Sequence, residues 1–178
     1  AKRKGEHHKA MPYADVPAFV QQLSAKPSVS ARALEFCILT ATRTSEVIGA
    51  RWSEIDPDAA VWFIPAARMK AKRDHRVPLS QRAVEILRGL KRDHGAAHVF
   101  INGNGKPLSN MAMLELSRGT AGKGFTVHGF RSSFSDWARD LTGYARDVIE
   151  MASAHTIKDK SEAAYRRGDA LDKRRRLM

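Results

Sequence analysis

A mainly helical domain with one small antiparallel sheet is the fold class that this sequence predicts. Three observations carry the prediction. Between Glu54 and Leu79, short β-branched and aromatic runs flank a polar, basic tip, which is the pattern of a hairpin. On both sides of that stretch, apolar residues recur at helical spacing. The 178 residues, 43% of them hydrophobic, suffice to bury one core and argue against a disordered chain.

The elements follow in order. Residues 1–12 are basic and polar and read as an extended lead-in to a domain at 13–178. Asp15 before Val16-Pro17 predicts a capped helix start, with the helix running to about Leu23 and breaking at Lys26-Pro27. A second helix is expected from Ser30 to Ala41, central and buried, with Leu34, Cys37, Ile38 and Ala41 on one stripe. Thr44 and Ser45 would cap a short helix carrying Glu46, with Arg43 in the bend before it.

Strands are expected near Ser53–Asp56, at Val61–Pro65 and at Arg76–Leu79. The run Arg68-Met69-Lys70-Ala71-Lys72-Arg73-Asp74-His75 forms the hairpin tip between the second and third. Ser80 caps a helix whose inner face is Ala83, Val84, Leu87 and Leu90. Val99-Phe100-Ile101 is a short buried extended segment before the turn Asn102-Gly103-Asn104-Gly105. Helices are then expected over Ser109–Leu116, Val127–Leu141, Ala145–Ala152 and Ser161–Arg167, with a last one near Ala170. In the Val127–Leu141 helix, Phe130, Phe134, Trp137 and Leu141 would form the buried side.

Composition narrows the function. Lys and Arg number 31 against 19 Asp and Glu, a net charge of +12 that fits a polyanionic partner. Cations on a surface bind DNA by releasing condensed counterions, so affinity should fall steeply with salt. The single Cys37 excludes an internal disulfide and a cysteine-built zinc site. No apolar run approaches the roughly 18 residues that span a bilayer. With no signal peptide either, the bacterial cytoplasm or nucleoid is the expected location, without membrane partners. A beginning of Ala1-Lys2-Arg3-Lys4, without Met, predicts a fragment of a longer protein.

Several residues could carry chemistry. His128 and Arg131 are three positions apart, which on a helix puts both on one face, within reach of one phosphate. Arg43 is pinned between a buried helix and a capped turn, and its planar fork of donors matches two phosphate oxygens. Glu46 either orients a neighbouring cation or merely offsets a helix dipole. Lys70 and Lys72 occupy the hairpin tip, where at most one could protonate a departing oxygen. Arg68, Arg73 and His75 are loop residues or DNA contacts. Lys173-Arg174-Arg175-Arg176 reads as a solvated or DNA-facing basic tail. Tyr165, set between Ala164 and Arg166-Arg167 downstream of His155, is a nucleophile only if cations offset its high pKa. No acidic cluster accompanies the histidines, and Gly95 interrupts His94 and His98, so a metal site is not expected.

Taken together, these blocks resemble the catalytic domain of the tyrosine recombinases, specifically a bacteriophage, prophage or genomic-island integrase. The resemblance rests on Ala41-Thr42-Arg43-Thr44-Ser45-Glu46, on Arg68-Met69-Lys70 with Val77-Pro78-Leu79-Ser80, and on Thr126-Val127-His128-Gly129-Phe130-Arg131. Ala154-His155 and Glu162-Ala163-Ala164-Tyr165-Arg166-Arg167 complete it. It implies Arg43 and Arg131 as phosphate-binding arginines, Tyr165 as nucleophile and Lys70 as general acid. His128 and His155 would be hydrogen-bonding or proton-transfer groups, supported by Glu46, with Arg68, Lys72 and Arg73 as DNA contacts. It also implies a 3′-phosphotyrosyl intermediate on double-stranded attachment sites and a homotetramer on DNA. Accessory DNA-bending or excisionase proteins would assist, and no cofactor, ATP or metal would be needed. One departure lies in Met151-Ala152-Ser153-Ala154-His155, where relatives often carry Leu or Gly closer to the histidine. The alternatives are a type IB topoisomerase, which reseals the same strand, and a non-catalytic basic DNA-binding module.

Overall fold

The structure, a computed structural model, describes residues 9–92, 95–121, 124–155 and 168–178. The sequence-predicted helix over Ser161–Arg167, and with it Tyr165, lies outside the described residues.

Helix α1 (Val16–Ser24) begins after Asp15, with Pro17 in its first turn. Asp15 itself is helical in backbone and its carboxylate caps nothing, contrary to expectation. Helix α2 (Val29–Leu39) is better specified: Ser28 stays extended and its hydroxyl accepts from the Ala31 amide. Six residues of α2, from Ala31 to Cys37, are buried, so it is the central helix of the expected kind. The short α3 (Thr44–Ile48) starts one residue earlier than its sequence suggests. Arg43, not Thr44, takes the N-cap position, and the Glu46 carboxylate reaches back to accept from the Arg43 amide at 2.8 Å.

A three-stranded antiparallel sheet follows, ordered β1 (Ile55–Asp56), β2 (Val61–Ile64), β3 (His75–Pro78). Its register pairs Trp62 with Val77, Phe63 with Arg76 and Ile64 with His75. The pleat therefore turns Trp62, Ile64 and Val77 into the core and leaves Phe63 and Arg76 outside. Helix α4 (Gln81–Gly89) is capped by Ser80 as predicted. Val99 and Phe100 are buried in an extended segment joined to the rest by single bridges. Three all-helical elements come next: α5 (Asn110–Ala121), α6 (Gly129–Leu141) and α7 (Arg146–Ala152). A last helix spans Leu171–Leu177.

Two apolar clusters hold these elements. The larger surrounds α2, where Phe36 packs against the rings of Trp62 and Phe100. The smaller joins Ala138 of α6, Val148, Ile149 and Ala152 of α7, and Leu177. Leu141 does not join the buried side of α6; it is 65% exposed at the helix end. Phe130 is buried and stacks on Phe19, whereas Phe134 and Trp137 are half-buried. The adjoining stripe of α6, about 100° round the helix, buries Arg131, Ser135 and Ala138. A charge among small residues, on a face turned toward the protein, is the feature that locates the site.

The final helix also differs from expectation. Arg174 is 1% exposed and donates to the carbonyls of Asp169 and Arg76 and to the Asp169 carboxylate. Arg175 donates to the carbonyls of Ala59 and Ala60. Two members of the predicted solvated tail thus fasten this helix to the sheet.

Candidate active site

Arg131 sits in the first turn of α6, and its buried guanidinium donates to the carbonyls of Ala41 and Ser153. Arg43 donates to Glu46 Oε1 at 2.7 Å and, more weakly, to the carbonyl of Ala154 at 3.4 Å. Two arginines 88 positions apart therefore grip consecutive carbonyls at the end of α7, immediately before His155. Burial first, and then repulsion from Arg43, pushes the Arg131 pKa down to about 10. It stays protonated at neutral pH. Among the described residues, the carboxylate near both arginines is Glu46, 2% exposed and already bonded to Arg43. Arg131 Nε is buried and has no partner among the described residues. Among the described residues the pair thus carries more positive charge than its surroundings offset, in a site where an anion would be held strongly.

The local backbone explains how those carbonyls are aimed. Both Ala41 and Ala154 adopt left-handed φ of 49°, just past the ends of α2 and α7. After α7 the pattern is a Schellman motif: the Ala154 amide donates to Met151 and the His155 amide to Glu150. That motif favours glycine at the position Ala154 occupies. His155 itself is 41% exposed, and its Nδ1 lies 2.6 Å from Glu150 Oε2.

His128 occupies the N-cap position of α6, exposed, three residues before Arg131. The preceding strand of chain passes very close: a Cβ on Gly129 would collide with the Lys9 carbonyl, which accepts from the Thr126 amide. The start of α6 is therefore locked to the lead-in.

The hairpin divides. Lys70, Lys72 and Arg73 are exposed in the β2–β3 connection, whereas Met69 is buried and anchors it. Arg68, expected as a DNA contact, has its guanidinium turned inward, donating to the Glu54 carboxylate and the Glu46 carbonyl. It braces α3, and so Glu46, against the sheet. His75 departs most from the reading of an ordinary loop residue. It opens β3 on the core side, with Nε2 buried and unpartnered among the described residues. Burial pushes its pKa down to about 4, helped by Arg174, Arg131 and Arg43 and opposed by Asp169. Its signal was available in sequence: His75, Val77 and Leu79 alternate onto one face once the strand is begun one residue earlier. Among the described residues, no group of three or more His, Cys, Asp or Glu could hold a metal ion, and no helix is long and apolar enough to cross a membrane.

Comparison with known proteins bears directly on this constellation. The phage integrase family model matches residues 9–169. The chain belongs to that family. Prophage integrase IntA of Escherichia coli K12 is 41% identical over 160 residues, which cover 87% of this chain and 38% of IntA. Prophage integrase IntZ of the same strain is 36% identical over 182 residues, covering all of this chain and 45% of IntZ. The chain thus spans less than half the length of either curated relative. Among solved structures, XerA recombinase superposes with a TM-score of 0.68 at 15% identity, over 97% of this chain and 63% of its own. A lambda integrase tetramer bound to a Holliday junction gives 0.65 at 18% identity, over 90% and 51%. At such identities the likeness is one of fold, and it agrees with the mainly helical, small-sheet architecture.

Proposed function

We propose that this integrase-family domain cleaves and rejoins DNA at specific sites through a 3′-phosphotyrosyl intermediate, integrating or excising a mobile element. The observation that carries the reading is the convergence of Arg43 and Arg131 on the Ser153–Ala154 turn, with Glu46 as their shared carboxylate. A scissile phosphate between the two guanidinium groups would supply the missing negative charge. It would also give the orphaned Arg131 Nε an acceptor.

In this reading the Tyr165 hydroxyl oxygen attacks phosphorus, the bond to the 5′ oxygen breaks, and a 3′-phosphotyrosine forms. The phenol proton passes to His128 or His155, and Lys70 supplies a proton to the departing 5′ oxygen. The arginines offset charge developing on the non-bridging oxygens, the largest catalytic contribution expected. Attack by a second strand's 5′ hydroxyl reverses the step without ATP, because the phosphotyrosyl bond retains the energy of the bond broken. We further propose a homotetramer acting on two duplex sites, aided by DNA-bending or excisionase proteins. Lys72 and Arg73, exposed at the hairpin, would be backbone contacts, and Arg68 would act as a brace instead.

The test is a nicked suicide DNA substrate carrying a family-type attachment site. Covalent trapping by the wild type, persisting in EDTA and absent in Tyr165→Phe, is the expected result. Trapping that survives Tyr165→Phe would overturn the assignment. Relaxation of supercoils without strand exchange between two sites would replace recombinase with topoisomerase.

A further inference from the structure

The proposed chemistry leaves open what aims His155, a residue 41% exposed at the end of a helix. A half-exposed imidazole on a free turn would sample several rotamers, and a working nitrogen must be held in one. Three restraints converge here. The His155 amide is bonded to the Glu150 carbonyl at 2.9 Å, which closes the Schellman motif. The carbonyls of Ser153 and Ala154, just before it, are held by Arg131 and Arg43. The third restraint acts on the ring: Glu150 Oε2 lies 2.6 Å from His155 Nδ1.

In this motif the residue at Glu150's position and the one at His155's position commonly touch through apolar side chains. Here that contact is a hydrogen bond between ring and carboxylate. Glu150 is 19% exposed and is itself fixed by Arg139 at 2.6 Å, with Arg146 at 3.8 Å. Burial works against its charge, but hydrogen bonds from His155 and Arg139 hold its pKa below the ordinary carboxylate range. An ionised carboxylate can only accept, so the proton between the two groups belongs to Nδ1. With Nδ1 holding that proton, the tautomer that can accept from substrate is the one with a bare Nε2, on the side away from Glu150.

We infer that Glu150 is the positioning residue for His155: by accepting from Nδ1–H it fixes the tautomer and orientation of the ring and makes Nε2 the nitrogen that works on substrate. This rests on the proposed cleavage reaction, in which His155 bonds to or exchanges a proton with the reacting groups. Glu150 touches neither substrate nor the reacting atoms. Arg139, which bonds Glu150 Oε1, acts only through that carboxylate.

The experiment compares wild type, Glu150→Gln, Glu150→Ala and Arg139→Gln by two readouts. The first is nitrogen NMR of the His155 ring in the DNA-free protein, which reports the tautomer independently of activity. Wild type should give a protonated Nδ1 and a bare Nε2, and Glu150→Ala a mixture of tautomers. The second is single-turnover cleavage at saturating protein. Glu150→Ala should lose about 10–100-fold, the usual cost of removing a histidine's orienting partner. Glu150→Gln, whose amide oxygen still accepts, should lose less, and Arg139→Gln, which loosens Glu150 but leaves its carboxylate in place, should lose less than Glu150→Ala. Melting curves separate these effects from unfolding. If wild type cleaves but Glu150→Ala cleaves equally fast with the tautomer unchanged, the positioning role is wrong. If wild type itself forms no adduct, the cleavage reading fails instead, while the tautomer result still judges the Glu150–His155 pair.

Discussion

Replacing Arg131 with methionine separates what this side chain does for stability from what it does for chemistry. Met is close in length and apolar, so the variant removes the charge and keeps most of the volume. Depression of the Arg131 pKa to about 10 means that the folded state disfavours the charged form. At about 1.4 kcal/mol per pH unit that penalty is roughly 3 kcal/mol, present at every pH below about 10 and released in the variant. Against it stand two charge-assisted bonds, to the Ala41 and Ser153 carbonyls. Each is worth about 1.5–3 kcal/mol, so roughly 3–6 kcal/mol is lost. The two effects largely offset, leaving a net destabilisation of about 0–3 kcal/mol. Catalysis has no such offset: losing one preorganised donor to a developing charge costs about 10²–10³-fold. Urea melts and single-turnover trapping on a suicide substrate, run side by side, read both. A modest fall in stability with at least 100-fold slower cleavage is expected. A loss well beyond 5 kcal/mol, with cleavage falling only as the folded fraction falls, would refute the argument and make Arg131 a structural strut.

Other outcomes follow from the same geometry. His75, with its pKa lowered to about 4, binds a proton in the unfolded chain before it does in the folded one. Stability should therefore fall as pH drops from about 6.5 towards 4, by up to roughly 3 kcal/mol, and His75→Gln should flatten that slope in thermal melts taken between pH 7 and 5. Gly129→Ala should cost about 1–3 kcal/mol, read by chemical denaturation, because the new methyl meets the Lys9 carbonyl; an unchanged midpoint would mean that the lead-in is not packed there. Ala154→Gly should raise stability by up to about 1 kcal/mol, since Ala154 holds a φ of 49°; a lowered melting temperature would contradict the strain argument.

Much of the fold was legible because it depends on local pattern. The hairpin, the Ser80 cap and the burial of α2 all follow from periodicity and from a side chain that bonds its own backbone, whereas the Ser28 cap, which starts α2 at Val29 rather than Ser30, was missed. The arginine pair was legible as residue types, but not as geometry. Nothing local says that Arg43 and Arg131 share the Ser153–Ala154 turn, a contact spanning more than a hundred positions for Arg43. Misreadings came where tertiary packing overrides local chemistry. Arg68 and Arg174 look like solvent or DNA contacts because charge is normally exposed, yet each satisfies inward carbonyls and a carboxylate. Leu141 looked buried because the α6 stripe was extended one turn too far. Glu150 went unread because its partner lies five residues on, a distance set by the Schellman turn rather than by helix periodicity.

The central claim is that one DNA phosphate sits between Arg43 and Arg131 with Tyr165 placed to attack it. A crystal structure of Tyr165→Phe bound to an uncleaved attachment site tests this most directly. The account predicts non-bridging oxygens of the scissile phosphate within about 3 Å of both guanidinium groups, the Arg131 Nε satisfied, and residue 165 on the far side of phosphorus from the 5′ oxygen. A scissile phosphate bound away from either arginine, with the Ser153–Ala154 turn still closed over them, would contradict it.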